Sequence, residues 1–221
     1  MKKGMTEMVF VIDRSGSMTG LEDDTIGGFN STIKKQKGEE GEAKVTTVLF
    51  DDRYEVLHDR FDIGQIKEMT DREYYTRGST ALLDALGRSI HKTINVQKNL
   101  PEEERAENVV FVVITDGYEN SSREFSYKDI KRLVKKEQEK YGWEFLFLGA
   151  NIDAVAEGGR MGFRSDRSVR YMHDDIGTGL AYDSVNEAVK SFRACKVINE
   201  DWCEEVKADY AARSNDDDIP R

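Results

Sequence analysis

The sequence predicts a doubly wound α/β domain, Rossmann-like, with a mostly parallel sheet and helices on both faces. Short apolar runs alternate with stretches of helical period, the pattern of βα units. The run Asn108 to Asp116 (NVVFVVITD) is continuously apolar, as expected of a strand buried on both faces of a parallel sheet. Two such runs, Val9–Asp13 and Val109–Asp116, end in an aspartate.

MVFVI (8–12) reads as the first buried strand. Leu21, Ile26, Phe29 and Ile33 then share one face at helical spacing. VTTVLF (45–50) and YEVLH (54–58) flank Asp51-Asp52-Arg53, a turn-like break that makes them a hairpin. Asp62 and Gln65 have capping-box spacing for a short helix. Leu83, Leu86, Ile90 and Ile94 mark an amphipathic helix, and Pro101 with the acidic run 102–105 a solvated loop or helix start. After the 108–116 strand, Ser126 and Asp129 open a helix with the stripe Ile130, Leu133 and Val134. WEFLFLGAN (143–151) reads as another buried strand, and Gly158, Gly159 and Gly162 as a polar loop. SVRYM (168–172) is a weak last strand. Ser184 and Glu187 have capping-box spacing for a C-terminal helix through Val185, Val189, Phe192 and Trp202. Residues 1–212 are expected to form one domain and 213–221 a frayed tail.

Composition narrows the function. The 221 residues are 38% apolar and 34% charged, with net charge -10. Such a surface repels nucleic-acid backbones and anionic membranes, so neither is expected as a partner. The N-terminal apolar run is shorter than the roughly 7–15 residues of a signal peptide. No stretch approaches the roughly 18 apolar residues of a membrane span. Cys195 and Cys203, eight apart in a segment read as helix, would stand about 12 Å from one another, too far for a disulfide. Reduced thiols point to the cytoplasm.

The informative stretch is VIDRSGSM (11–18), where an apolar strand stops in one carboxylate and two hydroxyls at alternate positions. In an open parallel sheet, ligands bind beyond the carboxyl ends of strands where the strand order reverses. If the strands ending at Asp13 and Asp116 are neighbours there, the two carboxylates converge. Arg77-Gly78-Ser79-Thr80 adds a hydroxyl just before the next helix. Each piece also has an ordinary use. Ser15 or Ser17 could cap a helix, Thr80 could be an N-cap, and Asp116-Gly117 could be a turn.

Together, Asp13-x-Ser15-x-Ser17, Thr80 after a glycine-bearing loop, and Thr115-Asp116-Gly117 after a buried strand form a specific pattern. It resembles the metal-ion-dependent adhesion site of the von Willebrand factor type A domain family, from about Glu7 to the C-terminal helix. The resemblance implies one antiparallel edge strand, a role the 54–58 strand fits. It implies that Ser15 and Ser17 bind a metal directly, and that Thr80, Asp13 and Asp116 do so directly or through water. It also implies ligand-dependent movement of a helix in the 180–212 region.

The donor chemistry suits Mg²⁺, which takes six oxygens at about 2.0–2.1 Å and keeps several waters. Mn²⁺ and Ca²⁺ are left open, while the absence of Cys and His from these loops argues against zinc. Two carboxylates roughly neutralise the ion and leave it electrophilic, so an Asp or Glu side chain of a partner protein can complete it. Arg14, Arg77 and Tyr118 border the site and are of the types favoured at interfaces. Asp84, one turn after Thr80, either supports a metal-bound water or lies on the helix's wet side. His58, His91 and His173 read as structural or exposed. The expected function is a metal-dependent, non-enzymatic adaptor or assembly factor. The rival is a Mg²⁺-dependent phosphohydrolase of haloacid-dehalogenase type, which would need an acid where Ser15 stands.

Overall fold

The computed structural model describes residues 1–214. Its centre is a six-stranded sheet in the order β3-β2-β1-β4-β5-β6. The strands are β1 (Lys2–Asp13), β2 (Ala43–Phe50), β3 (Tyr54–Asp62), β4 (Ala106–Thr115), β5 (Glu144–Ala150) and β6 (Ser168–Tyr171). All neighbours pair in parallel except β2 and β3, a hairpin that makes β3 the antiparallel edge. The chain winds outward from β1 to β2 and β3, then returns to β4 on β1's other side, so the order reverses between β1 and β4.

Side-chain alternation explains why both faces are covered. Along β1, Met8, Phe10 and Ile12 enter one core, with Val110, Val112 and Ile114 of β4. Val9 and Val11 enter the other, with Val109, Phe111 and Val113. Helices α1 (Glu22–Lys37), α5 (Asp175–Cys195) and α6 (Glu204–Arg213) contribute to the first core. Helices α2 (Leu82–Asn99), α3 (Tyr127–Tyr141) and α4 (Ala154–Met161) contribute to the second. The capping box of α3 forms as its spacing predicts, with Ser126 and Asp129 serving each other's backbone N–H.

Several local expectations are corrected. Asp62 and Gln65 bracket a single 3-10 turn, and Asp62 makes no side-chain cap. The glycines at 158 and 159 lie inside α4, while Gly162 ends it at φ +90, a conformation that favours glycine. Ser184 and Glu187 lie in the middle of α5, not at a start. The true N-cap is Asp174, whose carboxylate accepts from Gly177 N at 2.7 Å. The C-terminal helix does not continue through Trp202. It stops at Lys196, which takes a left-handed φ of 60°, and the chain restarts as α6. The helical geometry assumed between Cys195 and Cys203 is therefore interrupted, and both cysteines are free. The expected tail begins too early, since Arg213 ends α6 and pairs with Asp209 and Asp174. Residues 215–221 of that tail lie outside the described residues.

The α1–α5 contact is set by one glycine. The Tyr182 ring sits so close to Gly28 that a Cβ there would meet it at 2.2 Å. The neighbouring Gly27 faces open space. Gly28→Ala is expected to lower stability in urea unfolding by about 1–3 kcal/mol through overpacking. Gly27→Ala is expected to raise it by about 0.5–1 kcal/mol, by restricting the unfolded chain and favouring helix.

Candidate metal centre

Three loops meet beyond the carboxyl ends of β1 and β4, at the reversal of strand order. The first runs from Asp13 through a 3-10 turn at Gly16–Met18. The second ends in Thr80, two residues before α2. The third follows β4 from Asp116. Backbone bonds join the first two, from Gly16 N to the Gly78 carbonyl at 3.1 Å and from Arg77 N to the Arg14 carbonyl at 2.9 Å. Gly78 has φ +66, and a Cβ on it would strike the Asp52 carboxylate at 2.2 Å.

The five expected side chains are brought together. The Thr80 hydroxyl donates to Ser15 Oγ at 3.0 Å, Ser15 and Ser17 Oγ are 3.1 Å apart, and Ser17 donates to Asp116 Oδ1 at 2.6 Å. Asp13 joins through Ser15, whose backbone N–H donates to Oδ1 at 2.7 Å. The capping alternatives do not hold for these hydroxyls. Ser15 sits at the N-cap of the 3-10 turn yet makes no side-chain cap, and the N-cap of α2 is Ala81 rather than Thr80. Gly117 keeps the cluster uncovered, since a Cβ there would stand 3.2 Å from Ser17 Oγ and 3.5 Å from Thr80 Oγ1. Among the described residues no group of three or more His, Cys, Asp and Glu is placed to hold a metal. The cluster here consists of two carboxylates and three hydroxyls.

Asp13 is fully buried. Burial pushes its carboxyl up to about 7, against the opposing hydrogen bonds from Thr115 and Ser15, and the nearby Asp116 charge adds to the rise. The Thr115 hydroxyl donates to Asp13 Oδ2 at 2.6 Å. Tyr74 donates to the Asp13 carbonyl at 2.7 Å.

The structure adds residues that sequence reasoning passed over. His173 Nε2 lies 2.9 Å from Asp116 Oδ2, and this bond raises the imidazole pKa against the effect of burial. Its position just after β6, at a strand's carboxyl end, was the available signal. Asn120 Oδ1 accepts from Thr80 N at 2.9 Å. Glu119 takes the free N–H of Leu83 at the start of α2 and those of Ser121 and Ser122. Asp84 is not idle on the helix's wet face. It accepts from the backbone N–H groups of Arg123, Glu124 and Phe125, and so ties the third loop to α2.

The expected rim contacts divide. Arg14 is corrected: it is fully buried, with Nε 3.0 Å from Asp51 and Nη2 2.7 Å from Glu55. The side chain turns away from the surface because Asp51 is buried behind the loop and needs a cation. Arg77 also reaches Asp51, at 2.6 Å, but stays 30% exposed, with Nη1 donating to the Tyr75 hydroxyl. Tyr118 is 42% exposed and its hydroxyl accepts from Asp153 N at 3.3 Å.

Comparison with known proteins agrees with this architecture. No curated protein sequence matches the chain. Among solved structures, proximal thread matrix protein 1 from the mussel byssus, with a zinc-occupied MIDAS motif, aligns at 16% identity and TM-score 0.57 over 85% of this chain and 46% of its own. A von Willebrand factor type A protein from Catenulispora acidiphila aligns at 13% identity and TM-score 0.54, over 86% of this chain and 43% of its own. The ArnB paralog VWA2 from Sulfolobus acidocaldarius aligns at 18% identity and TM-score 0.51, over 84% of this chain and 45% of its own. The chain thus spans under half the length of these proteins, and at such identities the likeness shows the fold. The von Willebrand factor type A domain family model matches residues 7–180, and the chain belongs to that family.

Proposed function

We propose that this chain is a divalent-metal-dependent protein-binding module of the cytoplasm, an adaptor or assembly factor whose ion is completed by an Asp or Glu of a partner. Domains of this family are generally interaction modules rather than enzymes. The observation that carries the reading is the continuous file Thr80–Ser15–Ser17–Asp116, with Asp13 joined through the Ser15 amide.

The residues fit a small, hard dication. All five donors are oxygens, as Mg²⁺ or Mn²⁺ prefers. Asp13 is a buried carboxylate without a cationic partner among its hydrogen bonds, a costly state that a dication would relieve. Asp116, Ser15, Ser17 and Thr80 would hold the metal with Asp13, directly or through water. When bound, the ion supplies an exchangeable electrophilic position for an incoming carboxylate. The mussel protein's zinc-occupied site supports metal occupancy of such a cluster, while the all-oxygen donors here favour Mg²⁺. Arg77 and Tyr118 remain on the rim to contact the partner. Arg14 acts from below, by holding Asp51 in place. The phosphohydrolase alternative gains no support from fold or family.

Calorimetry with Mg²⁺ is expected to show one site per chain, lost in Asp13→Ala and Asp116→Ala while the fold is kept by circular dichroism. Because the ion displaces the proton that burial favours on Asp13, affinity is expected to climb as pH rises through about 7, then level off, with proton release. A flat profile from pH 6 to 8 would contradict it. Affinity capture from lysate is expected to retain a partner in Mg²⁺ that EDTA and the double alanine variant both release. A partner retained through EDTA would overturn the metal-bridged reading.

A further inference from the structure

Donor type alone leaves both Mg²⁺ and Ca²⁺ open at the metal centre, since both are hard cations that take oxygen ligands. They differ in what they ask of a carboxylate. Ca²⁺ takes about six to eight ligands in a flexible shell and accepts both oxygens of one carboxylate. Mg²⁺ demands a near-ideal octahedron, which the narrow bite of a two-oxygen carboxylate distorts. How each aspartate presents its oxygens therefore decides between them.

At Asp116 the two oxygens have different partners. Oδ1 accepts from the Ser17 hydroxyl at 2.6 Å, in the file that continues to Ser15 and Thr80. Oδ2 faces His173 Nε2 at 2.9 Å. A carboxylate only accepts, so Nε2 carries the proton. That proton is present in the neutral Nε2–H tautomer and in the imidazolium alike, so the bond does not depend on the ring's charge. The Asp116 side chain is fully buried and the imidazole 24% exposed. Asp13 is restrained in a similar way, with Oδ1 on the Ser15 amide and Oδ2 on the Thr115 hydroxyl.

The backbone holds His173 from both sides. Before it, Tyr171 pairs with Ala150 at the end of β6. After it, Asp174 N bonds the Met172 carbonyl at 2.9 Å, and the Asp174 side chain caps α5. The turn is packed so closely that a Cβ on Gly177 would stand 2.1 Å from the Met172 carbonyl oxygen. A side chain on so fixed a segment can orient a carboxylate rather than follow it.

We infer that His173 is a positioning residue of the metal centre. By holding Asp116 Oδ2 it leaves Oδ1 as the oxygen offered beside Ser17, and so makes the centre select Mg²⁺ over Ca²⁺. This role rests on the metal-binding reading of the site. It adds a residue outside the five-donor pattern, brought to Asp116 from 57 residues away.

The test is calorimetric titration of the full chain with Mg²⁺ and with Ca²⁺ at one fixed pH, beside His173→Leu and His173→Gln, with folding checked by circular dichroism. The unaltered chain is expected to bind Mg²⁺ more tightly than Ca²⁺. His173→Leu is expected to weaken Mg²⁺ about 10–100-fold, the range for loss of a group that orients a metal ligand, and Ca²⁺ far less, so that the Mg²⁺/Ca²⁺ ratio falls at least about tenfold. His173→Gln, which keeps a side-chain N–H within reach of the same oxygen, is expected to recover most of that ratio. Equal or tighter binding of Ca²⁺ by the unaltered chain overturns the role of His173 and leaves the metal reading standing. So does a folded His173→Leu chain in which both ions weaken equally or neither changes, or a His173→Gln chain no better than His173→Leu. Binding of neither ion overturns this role and the metal reading together. Should His173→Leu not fold, the ratio in the unaltered chain and its retention in His173→Gln decide.

Discussion

The buried carboxylate of Asp13 is the constraint around which the carboxyl end of the sheet is arranged. A carboxylate at zero exposure is expensive unless every oxygen is served. One Asp13 oxygen takes the Ser15 amide, which forces the chain to turn at once after β1 and so aims Ser15 and Ser17 back over the strand end. The other takes the Thr115 hydroxyl from β4, which fixes the neighbouring strand's exit and hence Asp116. The same carboxylate thereby sets the positions of three of the other four clustered side chains, Ser15, Ser17 and Asp116.

A second tier of acidic residues holds the loops without entering the cluster. Asp51 gathers Arg14 and Arg77, pinning the first and second loops side by side. Asp84 and Glu119 accept backbone N–H groups across the gap between α2 and the third loop. These groups are partly buried, so their bonds are screened less than surface ion pairs and position the loops more firmly. The division is chemical. Carboxylates satisfied by protein donors build the scaffold, whereas the hydroxyls of Ser15, Ser17 and Thr80, bonded chiefly to one another, remain open to an exchange of partners.

Much of this was legible in the sequence because it depends on local pattern. Continuous apolar runs gave β1, β4 and β5, and strand-terminal aspartates marked the reversal of strand order. The spacing of Asp13, Ser15 and Ser17 identified the turn that faces them together. What escaped is contact between segments distant in the chain. Arg14 reads as a surface residue until Asp51 is seen behind it, 37 residues away. His173 looks idle until β6 delivers it to Asp116, 57 residues away. The false start at Ser184 has a different cause. Capping-box spacing recurs inside helices, and only tertiary context shows that Asp174 holds the end.

The path from the cluster to the C-terminal helices is short, and adjacent residues carry it. His173 touches Asp116, and Asp174, the next residue, caps α5 and pairs with Arg213 in the last turn of α6. These contacts link Asp116 to the start of one helix and the end of another. How α5 can answer is limited by its seat on α1. The Tyr182 ring lies against Gly28 with no room for a methyl group, so turning α5 about its own axis would pull the ring off that floor. The Thr32 hydroxyl, buried one turn along α1, also lies 3.4 Å from the Tyr182 carbonyl, so a slide along the axis would break that contact too. A coupled movement in this fold must consequently take α5 and α1 together, or unseat Tyr182. The ring's contact with Gly28 is the place where a rigid response and a shearing one can be told apart.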